Sequence, residues 1–205
     1  MIISYNLNAV GDVLLVVVGN GEGKEIKTER KGHVVKISDS QTDELLGWNI
    51  FDASNVITDL TGVGQIHLTD EQDAELKQAI KDAGFNDTIV IDDTPKFVVG
   101  YVKTCVPHPD SNHLSITETE VGNGETLQIV CGAPNIRAGL KVVVAKVGAM
   151  MPDGLIIWPG ELRGEASFGM ICSAKELNLS NAPTKKGILE LPADEQIGRE
   201  FQVGI

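Results

Sequence analysis

Cys105, His108, His113, Cys131 and Cys172 are the side chains of this sequence with the chemistry to ligate a metal or to build a thiol nucleophile. Cys105-x2-His108-x4-His113 is a local cluster, but Cys131 and Cys172 follow His113 by 18 and 59 positions. Structural zinc sites draw their ligands mostly from two tight pairs, and no C-x2-C pair occurs here. A reactive cysteine needs a depressed thiol pKa and a base oriented by a third group, which this spacing does not supply. Asp110 with Glu118 or Glu120 could form a pair of carboxylates for acid–base work, yet beside turns and on strand faces such groups are ordinarily solvated. Cys131 and Cys172 adjoin Gly132 and Ser173 at expected strand ends, where a small buried thiol belongs. The expectation is a protein with no catalytic residue, no metal and no cofactor.

Hydrogen-bond donors are the richer set, and the distribution of charge shows where they act. The 205 residues carry 29 acidic and 17 basic side chains, a net charge of −12 that repels phosphate at long range. Residues 1–96 hold 8 basic and 17 acidic groups, net −9, whereas residues 97–205 hold 9 and 12, net −3. Within the second half, residues 137–186 have seven basic groups against four acidic ones, a local +3. Asp92-Asp93-Thr94-Pro95 reads as a linker, which places domains at 1–96 and 97–205. Three cysteines do not make a disulfide framework, so a reducing cytoplasm is expected. No run approaches the roughly 18 apolar residues that read as a membrane span, and MIISYNLNAV lacks the basic n-region of a secretory signal.

The elements that must hold these donors are mainly strands. The first half reads as α+β, with strands at 2–7, 12–18 and 33–37. Its helix spans Thr69 to Ala83: Thr69 and Gln72 form a capping box, Asp70 and Glu71 suit the positive dipole end, and Gly84 stops it. Leu76, Ala79, Ile80 and Ala83 make the apolar stripe of that helix. Gly62-x-Gly64 lacks the third glycine of a dinucleotide fingerprint. The second half shows strands at Phe97–Val106, Leu114–Val121, Thr126–Val130, Lys141–Val147 and Leu155–Trp158, with a short helix near Lys175–Leu179. Closely spaced strands broken by glycine and proline predict a small barrel.

Five segments then occur in order: HPDSNHL (His108–Leu114), QIVCGAPNIRAG (Gln128–Gly139), VAKVGAMMPDG (Val144–Gly154), LRGEASFGMICSAKEL (Leu162–Leu177) and GILELP (Gly187–Pro192). Together they resemble the tRNA-binding OB-fold module of the bacterial phenylalanyl-tRNA synthetase β chain, of many methionyl-tRNA synthetases, of stand-alone tRNA-binding proteins and of EMAP-II-type cofactors. The resemblance covers 97–205 and implies a five-stranded OB-fold barrel that grips the tRNA elbow by shape, with little base reading and no chemistry. It also implies a homodimer, since the stand-alone relatives pair. Only Phe97, Tyr101, Trp158, Phe168 and Phe201 are aromatic in this half, too few for a series of stacking platforms. Recognition of folded RNA through phosphates and 2′-hydroxyls needs donors, and Asn135, Arg137, Lys141, Lys146, Arg163, Ser167, Ser173 and Lys175 supply them, Arg163 and Ser173 foremost.

Three positions depart from that family's pattern. His113 stands where HP-x-A-D-K-L has a fixed cation, Ala174 where the glutamate of C-S-E is usual, and Asn178 where a glycine often follows E-L. The alternative expectation is therefore a protein-interaction module, attached to an aminoacyl-tRNA synthetase or another assembly, in which RNA binding is reduced or lost.

Overall fold

The computed structural model describes residues 1–89, 92 and 94–204, which divide into two compact units, Met1–Asp93 and Thr94–Ile205. No helix among the described residues is long and apolar enough to cross a membrane.

The first unit runs β1 (Ile2–Asn6), α1 (Leu7–Val10), β2 (Val13–Val17), β3 (Ile26–Lys31), β4 (Val34–Asp39), β5 (Leu45–Phe51), α2 (Ala53–Val56), β6 (Val63–Gln65) and α3 (Asp70–Asp82). Its six strands form an antiparallel sheet in the order β3-β4-β5-β2-β1-β6. Leu14, Trp48, Ile50, Leu76 and Ile80 are buried in one cluster, so α3 covers the sheet with the stripe its periodicity predicts. The expected capping box is present: the Thr69 hydroxyl accepts from the Gln72 N–H at 3.2 Å, and the Gln72 side chain accepts from the Thr69 N–H at 3.1 Å. Strands β3, β5 and β6 were not expected. All six residues of β3, IKTERK, are exposed because it is an edge strand, so no apolar alternation marks it. In β5 Gly47 interrupts the pattern, and it must be glycine, because a Cβ there would lie 2.4 Å from the Val16 carbonyl oxygen.

The second unit runs β7 (Phe97–Pro107), β8 (Ser115–Gly122), β9 (Glu125–Cys131), β10 (Lys141–Ala145), β11 (Gly160–Leu162), β12 (Glu165–Ser167), β13 (Met170–Ile171) and β14 (Glu190–Leu191). The sheet order is β13-β10-β7-β8-β9, with β14 also paired to β10 and β11–β12 forming a separate hairpin. The protein is thus mainly β, with an α+β first unit. On β10, Val142 and Val144 face one core cluster while Val143 and Ala145 face another, which explains its unbroken apolar run.

Two expected elements differ. Leu155–Trp158 is not a sheet strand: Met151 donates to the Leu155 carbonyl and Ile157 to that of Ala149, so its backbone folds locally onto residues 148–151, and β13 takes the fifth place. Residues 175–179 form a single turn, because Asn178 enters the left-handed region at φ +53°. The five strands are not closed by a continuous ladder. The free edge of β9 meets residues 166–168 through Phe168 N–H to the Gln128 carbonyl at 2.9 Å, Gln128 Nε2 to the Ala166 carbonyl at 2.8 Å, and Val130 N–H to Ser167 Oγ at 3.1 Å.

Candidate nucleic-acid interface

Seven of the eight expected donors have hydrogen-bond partners inside the second unit, and five of them, Asn135, Arg137, Lys141, Lys146 and Ser167, turn their side-chain donors to those partners away from the groove and the hairpin tip. Ser167 is 5% exposed, accepts from Val130 N–H and donates to the Gly169 carbonyl, so it holds β9 against β12 rather than facing a ligand. Ser167→Ala leaves the buried Val130 N–H unpaired and should destabilise the protein by about 1–3 kcal/mol, read as a lower thermal midpoint with little change in RNA affinity. Asn135 accepts from Ile188 N–H at 2.9 Å and donates to the Ile188 carbonyl and to Glu190. Arg137 grips both oxygens of Glu190, at 3.1 and 2.8 Å. Lys141 donates to the Glu195 carbonyl beside the Tyr101 ring, and Lys146 pairs with Glu125 at 2.6 Å.

The Arg137 guanidinium, helped by the Asn135 amide, holds Glu190 below the usual carboxylate range. A carboxyl whose pKa is depressed by folding contributes stability that is present above its unfolded pKa and is lost as pH falls through the folded value. The thermal midpoint should therefore fall on acidification below the ordinary glutamate pKa of about 4.3, and Glu190→Gln should flatten that part of the profile.

Arg163 occupies the tip of the β11–β12 hairpin at φ +52° and is followed by Gly164 at φ +89°, a two-residue turn that matches strand twist. An exposed two-stranded hairpin is marginal alone, and a clamp holds this one. His108, 4% exposed, accepts from Asp110 N–H at its Nδ1, so its Nε2 carries the proton and donates to the Leu162 carbonyl at 3.0 Å. Arg163 donates to the Asp110 carbonyl at 3.3 Å from the other side. It has no carboxylate partner among the described residues. Both nitrogens of His108 are thus committed, and burial pushes the Cys131 thiol up and the Cys172 thiol to about 12, so these groups remain structural. No group of three or more His, Cys, Asp or Glu side chains among the described residues could hold a metal. His113, exposed, lies 3.3 Å from the Ser111 hydroxyl.

Ser173 and Lys175 line a groove of about 560 Å³. The Ser173 hydroxyl accepts from Glu176 N–H while Glu176 accepts from Ser173 N–H, a capping box that sets the turn and leaves the hydroxyl hydrogen to donate. Two further cations line the same groove, Lys185 and Lys186. The expected set omits them, although the excess of positive charge in residues 137–186 contains them. Lys175, Lys185 and Lys186 are exposed and have no ion pair among the described residues. The groove wall is built by contact between distant segments: Asn135 joins the 132–135 loop to Gly187–Ile188, and a Cβ at Gly187 would lie 2.6 Å from the Asn135 Oδ1. The site therefore presents exposed cations and a hydroxyl donor, the equipment for phosphate and 2′-hydroxyl contact.

Residues 97–200 match the family described as "Putative tRNA binding domain", and residues 21–92 match a domain of unknown function, DUF4479. The chain is 48% identical over 198 residues to "Putative tRNA-binding protein YtpR" of Bacillus subtilis (strain 168), covering 97% of this chain and 98% of that protein. It is 52% identical over 109 residues to the phenylalanine–tRNA ligase beta subunit of Sulfurimonas denitrificans, covering 53% of this chain but 13% of that subunit. Among solved structures, a MetRS related protein from Pyrococcus horikoshii matches with a TM-score of 0.37 at 19% identity, over 54% of this chain and 96% of that one. Matched along nearly its whole length by the first of these relatives and over its second half by the domain model, the chain belongs to the tRNA-binding domain family.

Proposed function

We propose that this chain is a non-enzymatic, cytoplasmic tRNA-binding protein whose residues 97–205 grip the tRNA elbow by shape, through phosphates and 2′-hydroxyls. The observation that supports the reading is the groove of the second unit, rimmed by Lys175, Lys185 and Lys186, in a chain of net charge −12. Free cations gathered at one concavity of an acidic protein form a local attractive field. Ser173 and Arg163 complete the proposed donor set, and the five internally engaged residues support it from behind. The net −9 of residues 1–96 discourages non-specific coating of RNA. Two copies, each with one weak site, would gain avidity on a single tRNA.

Filter binding across salt concentration tests this. If about three to five phosphates are contacted, affinity for tRNA should fall roughly 40- to 500-fold between 50 and 200 mM salt. A stem-loop minihelix, which lacks the elbow, should bind more weakly, and single-stranded RNA more weakly still. A flat salt response, or equal affinity for the single strand, sinks the reading. Recovery of a stoichiometric protein partner such as an aminoacyl-tRNA synthetase, with no RNA at low salt, would favour an interaction module instead.

A further inference from the structure

The groove of the second unit is more apolar than phosphate contact requires. A phosphodiester is held by donors on an open face, and three lysines would suffice there without any concavity. Here they rim about 560 Å³, within the roughly 300–1,000 Å³ of pockets that enclose small organic ligands. Val130, Ile171 and Ile188, at 8%, 5% and 7% exposure, form an apolar floor, and exposed Pro134 and half-buried Met170 stand beside it. Glu176 is the one acidic residue lining the groove among those described, and its carboxylate accepts from the Ser173 N–H. Apolar floor and cationic rim together describe an occupant with a flat, uncharged part and an anionic part.

We infer that this groove takes one unstacked nucleotide of the bound RNA, its base against Val130, Ile171 and Ile188 and its phosphate among Lys175, Lys185 and Lys186. The inference rests on the tRNA reading above and adds a base-sized contact to recognition by shape. Unpaired bases in loops are the ones a protein can draw into a pocket, and a folded tRNA offers them where its loops meet. No aromatic side chain lines the groove among the described residues, so the base meets the Met170 thioether and the Pro134 ring rather than a stacking platform. Such a contact tolerates any of the four bases.

The test is an amide NMR titration of the full chain with AMP, ribose 5-phosphate and inorganic phosphate at constant ionic strength. AMP should shift the amides of Gly132, Ile171 and Gly187, bind about tenfold or more tighter than ribose 5-phosphate, and be displaced by tRNA. Equal binding of AMP and ribose 5-phosphate would reduce the groove to a phosphate site and overturn the inference. So would AMP that tRNA fails to displace. Retention of tRNA on filters with no AMP-induced shift at these amides overturns the inference and leaves the tRNA reading standing. Absence of tRNA retention overturns that reading itself.

Discussion

Replacing Lys175, Lys185 and Lys186 together by alanine should weaken tRNA binding about 150-fold and lower the slope of log affinity against log salt by about 2 to 3. The first figure assigns about 1 kcal/mol to each charged contact, the upper end for exposed ion pairs and below the roughly 1.5–3 kcal/mol of charged hydrogen bonds, because these side chains are solvated and flexible. The second follows from counterion release, in which each phosphate neutralised contributes about 0.7 to 0.9 to the slope. Folding should be unaffected, since all three are exposed and none has an ion pair among the described residues to lose. Lys103 is the matched control: it is exposed and likewise lacks an ion pair among the described residues, but it does not line the groove. Lys103→Ala should leave the salt slope unchanged. A triple variant that keeps the wild-type slope would remove this groove from the RNA-binding surface.

Asn135→Ala should have the opposite signature, a loss of stability of about 2–4 kcal/mol that precedes any loss of affinity. Its side chain satisfies both the N–H and the carbonyl of Ile188, a residue 7% exposed, and each backbone group left unpaired costs about 1–2 kcal/mol, in the lower part of the range for buried groups because the loop is near solvent. The same amide also donates to Glu190 Oε1 at 2.9 Å, which Arg137 grips from the other side. Asn135→Asp would keep the acceptor for Ile188 N–H but set a second carboxylate against Glu190, so its destabilisation should ease as pH falls through the carboxylate range. Chemical denaturation of both variants, with tRNA affinity measured where each is fully folded, separates a structural pin from an RNA contact. An Asn135→Ala protein of unchanged stability and reduced affinity would restore Asn135 to the binding set.

Much of this protein is legible in its sequence wherever the governing interactions are local. The helix at Asp70–Asp82 follows from Thr69, Gln72 and the Leu76–Ile80 stripe, because caps and periodicity act within one or two turns. Strands β7 to β10 follow from apolar runs between glycine and proline turns. The exposed edge strand β3 does not, since a strand that buries no face carries no alternation, and Leu155–Trp158 misleads because a short apolar run does not say which partner it pairs with.

The candidate site divides along the same line. Sequence alone determines the residue types, their order in a family pattern, and the concentration of basic groups in residues 137–186. Only the tertiary structure decides which of those groups are free. Arg137 meets Glu190, Asn135 meets Ile188 and His108 meets Leu162 across 53 or 54 residues, and each pairing is set by how the strands curl together. A charge is available to a ligand when no partner lies within reach, and reach is a distance in space that composition and spacing do not encode.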